Sequence, residues 1–155
     1  MVDVKMNTDY NLLSKQIREL AEISHDPIAV MANAAALLFE AMKDVNWAGF
    51  YLVKEDALIL GPFQGKVACV RIEKGKGVCG TAWMEDDVQV VEDVHKFPGH
   101  IACDSASNSE IVIPIHGGDG VIAVLDIDSP IFNRFNQEDK AGLMEFAKTI
   151  EDIIE

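Results

Sequence analysis

Glu110-Ile111-Val112-Ile113-Pro114-Ile115-His116-Gly117-Gly118-Asp119-Gly120-Val121-Ile122-Ala123-Val124-Leu125-Asp126-Ile127-Asp128-Ser129 consists of two apolar runs hinged on a glycine turn. Glu110 to His116 and Gly120 to Ile127 read as strands, and Gly117-Gly118-Asp119 as a turn whose glycines tolerate positive φ. Ser129-Pro130 stops the second strand. Successive side chains in a strand point to opposite faces, so Asp126 and Asp128 share a face. Glu110 opens one strand and the two aspartates close the next. Antiparallel pairing therefore brings all three carboxyl groups to one end of the hairpin.

The elements on either side extend this hairpin into an α+β fold. Tyr10 to Ser24 places Leu13, Ile17, Leu20 and Ile23 at three- and four-residue steps, the period of an amphipathic helix. Asp26-Pro27 restarts the chain with a cap and a first-turn proline. The helix that follows runs to about Lys43 and is apolar enough to be largely buried. From Trp47 the period changes to two. Trp47 to Val53 and Ala57 to Leu60 form a hairpin through Lys54-Glu55-Asp56, Val67 to Ile72 is a third strand, and Gln89 to Val91 a short one. The last helix starts at Asn136, a cap with Asp139 three residues on, and turns Leu143, Phe146, Ala147, Ile150, Ile153 and Ile154 to one side. The expected architecture is an antiparallel sheet of about six strands, with the N- and C-terminal helices packed on one face. Residues 1–155 read as a single domain. Gly61 to Lys66, Lys74 to Met84 and Glu92 to Ser109 read as irregular, and loops that long in a compact domain usually border a ligand site.

Composition narrows the function classes. A chain of 155 residues has the size to bury ~68–70 % of its unfolded surface in one core. The start, Met1 to Asp9, has neither a basic segment nor an apolar one, so no signal peptide is expected. The longest weakly polar run, Ile28 to Phe39, is too short to span a bilayer. A cytoplasmic location is the default that follows. A net charge of −13 argues against nucleic acid and against anionic membrane surfaces, both of which recruit Lys and Arg. It fits a cationic or zwitterionic small ligand, and it also serves plain solubility.

The chain holds three cysteines, Cys69, Cys79 and Cys103, all in its middle third. An odd number in a reducing compartment does not make a disulfide framework. His95, His100 and Cys103 stand close in sequence, but His100-x-x-Cys103 supplies two ligands where a structural zinc site needs four, so no metal is expected. Cys103 sits at the end of a polar loop, seven residues before Glu110, where a thiol gains the access that thiolate chemistry requires. Taken alone, Asp126 and Asp128 read equally well as a solvated strand end, and Glu110 reads more readily as a surface charge. Cys69 alone reads as a small buried hydrophobe in a strand, and Cys79 is ambiguous. Three of the four histidines, His95, His100 and His116, read as loop hydrogen-bonders.

The segments Gly65-Lys66-Val67-Ala68-Cys69, Gly75-Lys76-Gly77-Val78-Cys79-Gly80-Thr81-Ala82, Gly99-His100-Ile101-Ala102-Cys103-Asp104 with Ser107-Asn108-Ser109-Glu110, and Val124-Leu125-Asp126-Ile127-Asp128-Ser129 resemble those of the free methionine-(R)-sulfoxide reductases, small GAF proteins. The resemblance runs from the Trp47 strand to the last helix, and a generic GAF domain has no such cysteine trio. It implies that Cys103 is the catalytic cysteine, Cys69 the resolving one and Cys79 a third that can also pair with it. It implies that Glu110, Asp126, Asp128, Trp47 and Tyr51 line the pocket for free methionine-(R)-sulfoxide, with Trp83 a further candidate. It also implies an oxidoreductase without a bound cofactor that is recycled by thioredoxin.

The chemistry is consistent with that family. A sulfoxide oxygen leaves only when protonated, and a carboxyl whose pKa is raised by its neighbours can protonate it. The remaining carboxylates can hold the substrate ammonium. Carboxylates raise a thiol's pKa, an opposing effect that the ammonium or His100 would have to offset. Two other functions share these features. One is a ligand-sensing GAF module, although sensors sit beside an output domain for which 155 residues leave no room. The other is a thiol peroxidase or redox switch. A homodimer is the expected assembly on general grounds.

Overall fold

The computed structural model describes residues 7–100 and 106–155. The first helix, α1, spans Tyr10–Leu20, and the Asp9 carboxylate accepts the Leu12 N–H at 3.0 Å to cap it. Helix α2 covers Pro27–Ala41, with Pro27 in its first turn and the Asp26 carboxylate accepting from the N–H groups of Ile28 and Ala29. There follow β1 (Trp47–Lys54), β2 (Ala57–Gly65), β3 (Arg71–Glu73), α3 (Gly77–Glu85), β4 (Gln89–Val91), β5 (Ser109–Gly117), β6 (Gly120–Ser129) and α4 (Gln137–Ile154). Asn136 and Asp139 make the expected reciprocal capping box at the start of α4. The six strands form one antiparallel sheet in the order β3-β2-β1-β6-β5-β4.

Alternation along the central hairpin divides the interior in two. Ile111, Ile113, Ile115, Leu125 and Ile127 face α1, α2 and α4, where they pack with Leu13, Ile17, Leu38, Phe146 and Ile150. Val112 and Val124 point the other way, into a smaller cluster with Trp47, Tyr51, Ile72, Val78, Cys79 and Trp83. Burying a large aliphatic side chain contributes about 1.5–3 kcal/mol, so the larger cluster holds the sheet and the smaller one lines what lies beneath α3.

Four expectations change. Helix α3 occupies most of a stretch expected to be irregular and lies across the sheet face opposite α1, α2 and α4, the N- and C-terminal helices that share one face as expected. Its start carries no signal: Lys76 is the cap residue and makes no side-chain cap bond, while Gly75 and Gly77 have φ of 80° and 63°, conformations that read as turn. Strand β2 continues to Gly65, because a register shift opposite Gly49–Tyr51 takes Gly61 and Pro62 out of the regular ladder. Strand β3 is only Arg71–Glu73, so Cys69 lies on the irregular approach to it and not inside a strand. Helix α1 ends at Leu20, before Ile23, which is 97 % exposed. Among the described residues no helix is long and apolar enough to cross a membrane.

His116, read as a loop hydrogen-bonder, ties two helices to the sheet. Its Nε2 lies 2.5 Å from Asp86 Oδ1 at the end of α3, and its Nδ1 lies 2.7 Å from Glu151 Oε2 of α4. The bond to Asp86, reinforced by Glu151, raises its pKa against the opposing effect of partial burial. A raised folded-state pKa stabilises the fold below the unfolded value, and that contribution disappears as pH rises through the folded value. His116→Ala should therefore lower the melting temperature more at about pH 6 than at about pH 9. Equal losses at the two pH values would contradict this assignment.

Candidate active site

The β5–β6 register sets the site. Glu110 pairs with Asp128, and Val112 with Asp126, so all three carboxyl groups lie on the face covered by α3. They border a narrow cavity of about 50 Å³, closed on its other sides by Trp47, Tyr51, His100, Ser107 and the first turn of α3 from Lys76 to Cys79. Sites for drug-sized ligands run to roughly 300–1,000 Å³. This cavity suits something much smaller.

Glu110 is 9 % exposed and Asp126 5 %. One ligand atom from each of Cys79, Glu110 and Asp126 lies within 4.8 Å of the others. Asp126 Oδ1 is buried with no hydrogen-bond partner among the described residues. Two acids and a thiol in a dry space cannot all ionise, because burial penalises each charge and like charges repel. Burial, then Asp126 and Asp128, pushes the Glu110 carboxyl well above the usual range. Burial raises Asp126 too, opposed by hydrogen bonds with Glu110, Asp128 and Cys79. The cluster therefore holds its protons to higher pH than exposed carboxyls do. It can protonate a bound group and accept a cation, whether an ammonium or a metal ion. The first-turn N–H groups of α3, unpaired within the helix, provide the opposite polarity a few residues away.

The cysteines separate by environment. Cys79 is a free thiol, 4 % exposed, whose pKa is pushed far up by burial and by Asp126, Glu110 and Asp128. Cys69 is half-buried and disulfide-bonded. Cys103, the expected nucleophile, lies outside the described residues.

The two aromatics do more than line the cavity. Tyr51 donates its hydroxyl to the Cys69 carbonyl at 2.9 Å, and Trp47 donates Nε1–H to the Lys66 carbonyl at 3.0 Å. The Trp47 ring stacks on Phe63 at 5.1 Å and on Tyr51 at 5.9 Å. Together they fasten the segment that carries Cys69 to β1. Burial, then Asp126, raises the Tyr51 hydroxyl pKa, so it remains a donor. Trp83 does not border the cavity. It packs in the smaller cluster with the Lys74 ammonium 4.9 Å above its ring. His100 does border it, but burial and His95 lower its pKa, so it is a neutral ring and not a standing cation. Ala68, Ile72, Lys76, Gly77, Val78 and Ser107 are the bordering residues that sequence reading did not single out.

A family model described as GAF domain matches residues 25–155. A free methionine-R-sulfoxide reductase of Escherichia coli is 52 % identical over 149 residues, covering 96 % of this chain and 86 % of that protein. One from Saccharomyces cerevisiae is 44 % identical over 161 residues, covering 94 % and 89 %. The structure of fRMsr of Staphylococcus aureus in complex with substrate superposes with a TM-score of 0.91 at 52 % identity, covering 96 % of this chain and 97 % of that one.

A buried thiol with a raised pKa reacts slowly with alkylating agents, because the thiolate is the nucleophile. Cys79 should resist iodoacetamide in the native protein at about pH 7.5 and react once the chain is unfolded in denaturant. Native-state labelling of Cys79, found by peptide mapping, would contradict its confinement beside the acids.

Proposed function

We propose a function from one premise: the chain belongs to the free methionine-R-sulfoxide reductase family of GAF-domain proteins. It reduces free L-methionine-(R)-sulfoxide to methionine. The observation that carries this reading is a cavity of about 50 Å³ holding buried, proton-retaining carboxyls at one side and a helix N-terminus at the other. A free amino acid offers the complementary pair of charges. Its ammonium meets Asp126 and its neighbours, and its carboxylate meets Lys76 and the first turn of α3. Methionine inside a peptide has neither charge.

In this reading Cys103 is the nucleophile. It attacks the sulfoxide sulfur while Glu110, kept protonated by its surroundings, delivers a proton to the oxygen. The oxygen passes to Cys103, leaving a sulfenic acid and releasing methionine. The Cys69 thiol then condenses with it, losing water and forming a disulfide, and thioredoxin returns both to thiols. Cys69 is preferred to Cys79 for this step because Cys69 is the cysteine engaged in a disulfide, while Cys79 is buried with its thiol proton held tightly. Trp47 and Tyr51 enclose the side chain and anchor the Cys69 segment. No bound cofactor is needed. A single 1–155 domain, a cytoplasmic setting and a homodimer built on the exposed apolar side chains Leu12, Leu20, Ile23 and Ile28 complete the proposal.

Two experiments test it. Incubated with both epimers of free methionine sulfoxide and thioredoxin, the protein should consume the R epimer and spare the S, and Cys103→Ser should consume neither. Full activity in that variant would discard Cys103 as nucleophile. Cys69→Ser should release about one methionine per protein and then stall with thioredoxin as the reductant, whereas steady turnover would transfer the resolving role to Cys79.

A further inference from the structure

Val67 and Val70 are 88 % and 67 % exposed, although both are strong core formers and both sit within two residues of Cys69. Exposed apolar side chains that form a patch mark interaction sites, and these two flank a disulfide-bonded cysteine. Their surroundings are unusual for this chain. Between Lys66 and Lys76 stand four of the thirteen basic residues and one acid, Glu73, in a protein whose net charge is −13. Arg71 is bonded to Glu73 at 2.8 Å and lies 3.5 Å from Asp56, and Lys74 covers Trp83. Lys66 and Lys76 carry the remaining positive charge at the two ends of the segment. Strand β3 is the last strand of the sheet on this side, so no further strand covers it among the described residues.

We propose that the segment from Lys66 to Arg71 is the docking surface for an acidic dithiol protein that reduces the Cys69 disulfide. The proposal rests on the reductase reading above and adds to it where the reductant binds and what selects it. An apolar pair with a basic rim, centred on a redox-active sulfur, fits a partner with an apolar face beside its own cysteines and a surplus of acidic groups around them. Charges at the rim of such a contact mainly set the association rate and choice of partner, and the apolar centre holds the complex. The attachment of Trp47 to the Lys66 carbonyl and of Tyr51 to the Cys69 carbonyl presents the segment as a fixed surface.

The exchange balances. A thiolate of the partner attacks the Cys69 sulfur, forming a mixed disulfide and releasing the other sulfur of the original bond as a thiolate, which takes up a proton. The partner's second thiol, giving up its proton, attacks the partner's own sulfur in that mixed disulfide. Cys69 leaves as a thiol, and the partner departs as a disulfide, oxidised by two electrons.

The test compares two reductants on the full chain. In Val67→Glu/Val70→Glu, sulfoxide reduction driven by thioredoxin with its reductase should show a KM for thioredoxin raised about tenfold or more. Turnover driven by dithiothreitol, which needs no docking surface, should stay within about twofold of the parent. Lys66→Glu should raise the thioredoxin KM less and reduce its dependence on salt. An unchanged thioredoxin KM in the double variant would overturn the proposal, and so would an equal loss with both reductants, which would assign the valines to the pocket. Dithiothreitol-driven turnover of the parent reports on the reductase reading separately.

Discussion

The site depends on the burial of acids side by side. Glu110 and Asp126 are buried close together, where two negative charges repel, and Cys79 shares the space. Isolated buried charges cost several kcal/mol each, and side chains generally retain protons to avoid that cost. The chain holds these groups together because the β5–β6 register leaves them no alternative. A shift by one residue would turn Ile111, Leu125 and Ile127 away from the helices and lose the larger core. The apolar face thus fixes the polar one. Stability comes from one side of the hairpin and chemistry from the other.

That division explains the placement of α3. A bare sheet face with three carboxyls at its end would be wetted, and solvated carboxyls would ionise at ordinary pKa values. Helix α3 covers the face with Val78, Cys79, Ala82 and Trp83, burying the acids, and brings its N-terminus to the cavity. Gly80 allows the approach: a Cβ there would lie 2.5 Å from the Glu73 carbonyl oxygen. The same helix ends at Asp86, which His116 grips. The lid over the cavity is therefore pinned to the sheet from its far end by a bond that titrates.

Most of the sheet is legible in the sequence because alternation and turn chemistry are local. The hairpin, the caps at Asp26 and Asn136, and the convergence of Glu110 with Asp126 and Asp128 all follow from period and pairing. Helix α3 is not legible, since its glycines serve close packing and positive φ, and no capping side chain announces it. The run from Val67 to Ile72 misleads for a related reason. Its valines have strand propensity, but a high share of β-branched residues does not separate a buried strand from an exposed surface. Cys69 takes its role from the family resemblance and not from its neighbours. Trp83 is hard to place because an aromatic's type says nothing of which side of a helix it occupies.

The contrast between the two described cysteines bears on how such a site avoids harming itself. A sulfenic acid must meet a second thiol before it is oxidised further, so a thiol close at hand is protective. Cys79 lies beside the acids, and the burial and like charge that raise the Glu110 carboxyl's pKa raise that of the Cys79 thiol as well. Acid catalysis and thiol activation make opposite demands on one local potential. The acids and Cys79 lie in the pocket, and Cys69 lies on a half-exposed segment anchored by Tyr51 and Trp47. In the proposed reaction Cys69 acts from this segment, where a reductant can approach it without disturbing the acids. Cys79 fills the space beside Asp126, a buried thiol packed against the acids.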